Sequence, residues 1–136
     1  MNLRAIQPDG WKRPSGYSNG ILVEQPARWL FVAGQIAWDA QQRLVGAGDF
    51  QAQFRQALAN VVAVVTSAGG RPEHVVEVTI YVTDKTAYSA DLRALGAIWR
   101  EVLGKHFPAM ALVEVAALLE EGALVEIQAR AALPLA

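Results

Sequence analysis

Two acidic side chains near the C-terminus lie in segments that otherwise have the character of hydrophobic strands. Glu114 lies within residues 109–118 and Glu126 within residues 124–129. A carboxylate in a partly desolvated cleft can hold a water molecule and exchange protons with it. We therefore interpret Glu126 as a candidate proton-transfer group and Glu114 as a more ambiguous second one. The alternative for Glu126 is an ion pair with Arg130 or with an arginine of a neighbouring chain.

The stretch Gly-Tyr-Ser-Asn-Gly at residues 16–20 matches the G-x-S-x-G pattern of serine hydrolases. Asp84, Asp91 and His106 even follow it in an order that a catalytic triad would need. A nucleophile elbow requires a strand before the serine and a helix after it, whereas here Arg-Pro-Ser precedes and a strand follows. We therefore predict a glycine-based turn and no serine hydrolase.

Metal and cofactor sites are not predicted. The chain has no cysteine, and its two histidines, His74 and His106, have no partners at ligand spacing. The Gly-Ala-Gly sequence at residues 46–48 is too short to indicate a phosphate-binding loop.

Composition indicates one domain covering residues 1–136. With 53% hydrophobic and 18% charged residues, the chain has few polar side chains to cover a small monomer, which favours an oligomer. A net charge of -1 with scattered basic residues gives no footprint for nucleic acid. We expect no membrane partner because no apolar run is long enough to span a bilayer. The lack of cysteine and of a signal-peptide pattern favours a cytoplasmic location.

Hydrophobic periodicity predicts two helices, at residues 49–68 and 86–103. Segments rich in Val, Ile and aromatic residues predict five strands. They are residues 21–24, 29–36, 75–82, 111–118 and 125–132. The resulting order, β-β-α-β-α-β-β, indicates a two-layer α/β (α+β) sandwich with both helices on one face of a mixed sheet.

Alternation along the strands predicts a second sheet face that mixes apolar and charged side chains. This face is expected to carry Trp29, Phe31, Ala33, Gln35, Glu77, Thr79, Tyr81, Met110, Leu112, Glu114, Glu126, Gln128 and Arg130. Because so broad an apolar patch is uncommon on a monomer, we predict self-association through it. The alternative is a sheet half covered by loops.

Four segments of the chain resemble the RidA/YjgF family of imine and enamine deaminases, and the resemblance runs nearly end to end. They are residues 16–20, Val-Ala-Gly-Gln-Ile at 32–36, Pro-Ala-Met at 108–110 and Leu-Val-Glu-Ile-Gln-Ala at 124–129. The resemblance implies a chorismate-mutase-like fold and a homotrimer with active sites between subunits. It also implies cofactor-independent hydrolysis of a reactive imine to a carbonyl compound and ammonia.

The resemblance also implies roles for individual residues. Glu126 would handle the water and Tyr17 would cover the ligand, as the catalytic pair. The substrate-binding residues would be Ala33, Gly34, Gln35, Trp38, Met110, Leu112 and Glu114.

Departures from the family pattern point to a changed substrate. Met110 stands where well-known members carry the arginine that grips the substrate carboxylate, and methionine cannot reproduce that bidentate contact. Ala33 replaces a usual serine, Leu112 a cysteine or small residue, and Leu92 falls where asparagine is common. An apolar cleft is therefore expected. Trp11, Trp38 and Tyr17 are candidates for its aromatic walls, and Arg13, Arg93 and Arg100 are candidates to restore carboxylate recognition.

The leading hypothesis is a divergent RidA-like deaminase acting on an imine or enamine other than small 2-imino acids. The alternative is a non-catalytic trimer that binds apolar metabolites or protects exposed hydrophobic protein segments. A ribonuclease or translation inhibitor, as attributed to relatives of this family, has little support because the chain lacks a basic stripe and a histidine pair suited to phosphodiester cleavage.

Overall fold

The computed structural model describes residues 2–136. Its strands are β1 (Leu3–Ile6), β2 (Gly20–Val23), β3 (Arg28–Gln35), β4 (Val75–Val82), β5 (Ala109–Glu114) and β6 (Val125–Leu133). Its α-helices are α1 (Phe50–Ser67), α2 (Lys85–Ser89) and α3 (Leu92–Leu103), and a 3-10 turn covers Pro72–His74.

The main sheet has four strands in the order β3-β6-β4-β5. Strand β6 pairs antiparallel with both β3 and β4, and β4 pairs parallel with β5. Helices α1 and α3 pack together, and α1 covers β3 and β6. The predicted α+β fold with a mixed sheet is confirmed. Strands β1 and β2 form a separate hairpin, and the four residues of β1 were not predicted because they are too short and too exposed to show a pattern.

The core lies between the helices and one face of the sheet. Phe54, Leu58, Ile80 and Ile127 are among its fully buried side chains. Burial of each such side chain stabilises the fold by roughly 1.5–3 kcal/mol. Helix α1 begins where the Asp49 carboxylate accepts a hydrogen bond from the Ala52 amide, which satisfies one of the free N–H groups of the first turn.

The second predicted helix, residues 86–103, is two helices in the structure. The reason is a second N-cap in its interior. The Asp91 carboxylate accepts from the Ala94 amide at 3.0 Å and starts α3, whereas the Asp84 carboxylate accepts from the Thr86 amide and starts α2. Asp favours caps over helix interiors, so the chain restarts its helix at Asp91.

Strand β5 corresponds to the fourth of the five predicted strands, and its side chains point to the opposite faces from those predicted. It runs from Ala109 to Glu114 instead of covering residues 111–118, and its register pairs Met110 with Val78, Leu112 with Ile80 and Glu114 with Val82. Paired residues point to the same face of a sheet, so Met110, Leu112 and Glu114 point to the helix side. The sequence shows that side chains alternate along β5. Which of the two sets faces the helices depends on how β5 pairs with β4, and the sequence of β5 alone does not show this pairing.

Gln35 is also displaced from its predicted face. A bulge between Val32 and Gln35 shifts the register, so that Gln35 lies opposite Ile127, which is fully buried on the helix side. An extra residue in one strand interrupts the alternation of its side chains. The other face, here called the open face, carries Trp29, Phe31, Ala33, Glu77, Thr79, Tyr81, Ala109, Ala111, Val113, Glu126, Gln128 and Arg130.

Within residues 2–136, no helix combines the length and the hydrophobicity that crossing a bilayer requires.

Candidate functional site

A cavity of about 450 Å³ opens between the helices, strand β5 and the loop that precedes β2. We call it the helix-side cavity. It is lined by Ser15, Gly16, Tyr17, Phe54, Tyr88, Leu92, Leu95, Gly96, Trp99, Phe107, Met110 and Leu112. No charged side chain is among them, so the wall is apolar apart from hydroxyl groups and backbone.

Hydrogen bonds to the chain just before β5 bring Tyr17 to this cavity. The Ser18 amide donates to the Pro108 carbonyl at 3.0 Å, and the Ser18 hydroxyl donates to the Phe107 carbonyl. On the other side, the Asn19 amide group donates to the Gln7 side chain at 2.7 Å. The Gly-Tyr-Ser-Asn-Gly segment is therefore a tied loop that holds Tyr17 beside the start of β5.

Three of the four departures from the family pattern meet at this cavity. Leu92, Met110 and Leu112 all line it together with Tyr17. Tyr88 packs edge-on against Phe50 and Phe54, with ring centroids 6.2 Å apart, and burial raises the pKa of the Tyr88 phenol.

None of the three candidate arginines lines this cavity. Arg13 lines an adjoining groove that shares Tyr17 with it. Arg93 is exposed at the beginning of α3. One terminal nitrogen of the Arg100 guanidinium lies 3.6 Å from the position that a Cβ on Gly96, which lines the cavity, would occupy.

Glu126 lies on the open face, where its carboxylate covers Gly34. A Cβ added to Gly34 would lie 2.0 Å from a Glu126 carboxylate oxygen, far inside contact distance. The glycine therefore leaves the space that the carboxylate fills. Among residues 2–136, Glu126 makes no ion pair, because Arg130 pairs with Glu77 at 3.3 Å instead. The alternative role for Glu126, an ion pair with Arg130 of the same chain, is therefore absent among residues 2–136.

The two groups of site residues face opposite sides of the sheet. Glu126 is paired with Tyr81 on the open face, whereas Leu112 is paired with Ile80 on the helix side. Successive residues of β4 point to opposite faces, so one chain does not bring Glu126 to the helix-side cavity.

The remaining predicted site residues have structural contacts. The Gln35 side chain donates to the Ala33 carbonyl at 3.0 Å, next to Gly34. The Trp38 carbonyl accepts from Asn60 at 2.8 Å. The Glu114 carboxylate accepts from the Lys85 amide at 3.0 Å and so caps α2.

The aromatic wall of the cavity differs from the one expected. Trp11 and Trp38 do not line it, while Phe54, Tyr88 and Trp99 do. These three aromatic residues lie in the two stretches whose periodicity predicted helices, so they were expected to be core residues. The glycine at position 96 could have indicated a cavity, since a glycine inside a helix leaves a gap in its apolar face.

The groups of the rejected triad are separate and engaged elsewhere. Asp84 and Asp91 cap helices, and a His106 ring nitrogen contacts the Val75 carbonyl at 2.5 Å. Across residues 2–136, no three His, Asp or Glu side chains come together as metal ligands.

The profile of the family described as Endoribonuclease L-PSP matches residues 12–133. The chain belongs to this family. It is the RidA/YjgF family, as the solved structures of similar proteins show. One Rid family structure, YyfB of Yersinia pestis, shares 38% identity over 98% of this chain and 100% of its own, with a TM-score of 0.84. The YjgF structure of E. coli shares 29% over 94% and 92%, with a TM-score of 0.68.

Relatives of known sequence in the RidA/YjgF family include enzymes. A RutC family protein of Synechocystis is 35% identical over 98% of this chain and 99% of its own. The human 2-iminobutanoate/2-iminopropanoate deaminase is 30% identical over 83% of this chain and 77% of its own. Imine deamination is thus an activity found within the family.

Proposed function

We propose that this protein is a divergent, cofactor-independent imine or enamine deaminase of the RidA/YjgF family, acting on a substrate other than a small 2-imino acid. The observation that carries the proposal is the Glu126 carboxylate, which lies over Gly34 without an ion pair from residues 2–136. Deaminases among the relatives support the reaction class.

In the proposed reaction, Glu126 accepts a proton from water as the water oxygen bonds to the imine carbon. The π electron pair of the C=N bond moves to nitrogen, which takes up the proton that Glu126 accepted. In the resulting carbinolamine, the hydroxyl proton passes through Glu126 to the amino nitrogen, the C–N bond breaks, and ammonia leaves a carbonyl compound behind. Enamines enter by tautomerising to imines. Placing the water and the imine together supplies much of the rate gain.

A complete site requires a second copy of the chain. Within one chain, Glu126 and the helix-side cavity lie on opposite sides of the sheet. The open face also exposes Phe31 to 69% and Trp29 to 52%, which is unusual for a surface that meets water. We infer a homotrimer in which the open face of one subunit brings Glu126 to the helix-side cavity of the next.

The substrate is expected to lack the 2-carboxylate of small imino acids. Met110 offers no donor, and no cationic side chain from residues 2–136 lines the cavity. A carboxylate placed there would lose hydration without gaining a partner, which is unfavourable.

The test is ammonia release from freshly generated imines, half of them derived from amino acids and half carboxylate-free and aromatic. We expect wild type to accelerate the carboxylate-free imines and Glu126→Gln to lose this activity, with Glu121→Gln, an exposed residue, as the matched control. Met110→Arg should shift activity towards 2-imino acids. No acceleration by wild type for any imine would instead favour the non-catalytic binding protein.

The intersubunit site can be tested by mixing inactive chains. Tyr17→Ala and Glu126→Gln disable different sides of the proposed site. Co-assembled in equal amounts, they should regain activity, because about a quarter of the interfaces of a random trimer pair two intact sides. Mixtures as inactive as the separate variants would contradict the shared site.

A further inference from the structure

We propose that Gly96 makes room in the helix-side cavity for a neutral, ring-bearing hydrocarbon group, and that this recess sets the substrate class. The inference deepens the proposed function and names the substrate as the imine of an arylalkyl carbonyl compound. Gly96 then acts as a specificity-determining residue on α3.

The chemistry of the wall favours an uncharged occupant. The Trp99 indole N–H already donates to the His106 carbonyl at 2.9 Å, so the ring presents only apolar surface to the cavity. Phe54, Leu95 and Met110 add further apolar surface. Aromatic and aliphatic walls of this kind hold rings by burial and offset contacts.

The size of the cavity is adequate for such a group. Its volume of about 450 Å³ lies within the range of roughly 300–1,000 Å³ that is common for small-molecule pockets. A small 2-imino acid would leave much of this space unfilled.

Gly96 is not explained by the needs of its helix. It is not among the glycines with positive φ, and glycine inside a helix is less stabilising than alanine. Nor does crowding require it, because an added Cβ would meet only the Arg100 guanidinium, at 3.6 Å. Beyond that atom the position is open, so a longer side chain would occupy cavity space.

Arg100 provides the competing interpretation. Its guanidinium lies beside Gly96, where it is a candidate to bind a carboxylate at the edge of the cavity. A ligand pair that differs only in that group separates the two interpretations.

The experiment measures binding of two unreactive ketones by calorimetry on the assembled protein. Phenylacetone and phenylpyruvate share the same ring and differ by a methyl group in place of a carboxylate. We expect wild type to bind phenylacetone at least tenfold more tightly. Gly96→Leu should weaken phenylacetone binding at least tenfold, whereas Gly96→Ala and Ala97→Leu, the latter on an exposed part of α3, should change it less than threefold.

Tighter binding of phenylpyruvate, lost in Arg100→Gln, would overturn the proposal in favour of a carboxylate anchor. Equal phenylacetone binding by wild type and Gly96→Leu, or no binding by wild type, would also overturn it. Because the ketones do not react, binding that depends on Gly96 in a protein without deaminase activity would refute the proposed function and the imine substrate, and it would leave standing only the recess at Gly96 for an arylalkyl group.

Discussion

The contact between Gly34 and Glu126 links backbone geometry to chemistry. The bulge in β3 lies beside Gly34, and the missing side chain leaves the Glu126 carboxylate room against the strand. The clash with an added Cβ falls on the end of a flexible side chain, which can move away at low cost. A side chain added at position 34 is therefore expected to reduce activity more than it reduces stability.

Gly34→Ala is expected to lower deaminase activity on the order of 10²-fold, the lower range for loss of a positioned acid–base group. The cause is displacement of the Glu126 carboxylate. The unfolding temperature should fall by only a few degrees, because Gly34 does not require positive φ. Activity assays and thermal unfolding measure both.

Gly20→Ala is the matched control, since its added Cβ would meet Ile6 at an ordinary 3.6 Å. Equal activity losses in the two variants would mean that Gly34 has no special relation to Glu126.

At the residue scale, the sequence nominated Glu126, Gly34 and Tyr17 as site residues, and their roles stay predictions. The sheet faces of Met110 and Leu112 could not be predicted, because they depend on the parallel register between β4 and β5. Pairing partners distant in sequence are not encoded in the alternation of one strand.

At the element scale, Gln53 joins α1 to two loops. It is fully buried, and its side-chain amide donates to the Gly46 and Gly122 carbonyls while accepting from the Leu124 amide at 2.8 Å. The Asp49 amide also donates to Gly46, so the groups that depend wholly on this side chain are those of Gly122 and Leu124.

Gln53→Leu is expected to destabilise the protein by about 1–3 kcal/mol, because the half-buried Leu124 amide and the carbonyl of the exposed residue Gly122 lose their hydrogen-bond partner. Urea unfolding measures this free energy. Gln51→Leu, at an exposed position of the same helix, should change it by less than about 0.5 kcal/mol. Similar losses of unfolding free energy in both variants would show that the hydrogen bonds of the Gln53 side chain contribute little to stability.

The 3-10 turn before β4 contains a pH-sensitive group. Burial lowers the pKa of His74 below its usual 6.5, although Glu73 opposes this shift. The His74 ring nitrogen Nδ1 also accepts from the Arg71 amide at 3.0 Å, which requires the unprotonated ring. The unfolded chain thus takes up a proton more readily than the folded one, so stability is lost as the pH falls from 6.5 through the lowered pKa.

Between pH 7.5 and 5.5, the unfolding temperature of wild type is expected to drop more than that of His74→Asn, which keeps an acceptor but cannot titrate. The window avoids Glu73, whose pKa is lowered from 4.5 by its hydrogen bond to Arg71. Calorimetry at five pH values would check this. Parallel curves for the two proteins would remove His74 as the cause.

At this scale the sequence predicted α1 and all four strands of the main sheet, with bounds that differ from the structure by at most four residues, and it predicted where α3 ends but not where it begins. Periodicity located them because each buries one face. The division into α2 and α3 at Asp91 was missed. In a periodic stretch, an N-capping aspartate cannot be distinguished from another polar residue on the exposed face of one helix. Strand β1 was missed because its pairing with β2 depends on chain that lies 14 or more residues away.

At the scale of the whole molecule, the open face is the feature that a single chain leaves unexplained. Phe31 and Trp29 project from its outer strand, and the Arg130 guanidinium lies 5.7 Å from the centre of the Phe31 ring. An exposed aromatic side chain held beside an ion pair is typical of the anchors that dominate protein interfaces. The sequence predicted this mixed face correctly for β3 and β6 except at Gln35, and wrongly for β5.

Phe31→Glu is therefore expected to convert the proposed trimer to a monomer of 14.7 kDa, because it buries a carboxylate in the proposed interface and lets that carboxylate compete with Glu77 for Arg130. Leu119→Glu makes the same chemical change at a side chain that is 100% exposed in a turn, and it should leave the assembly intact. Size-exclusion chromatography with light scattering, over a hundredfold range of concentration, distinguishes the species.

A monomeric wild type would contradict self-association. A trimer that survives Phe31→Glu but not Leu119→Glu would mean that the chain assembles through the turn before β6 instead, and Glu126 would then require another partner to meet the helix-side cavity.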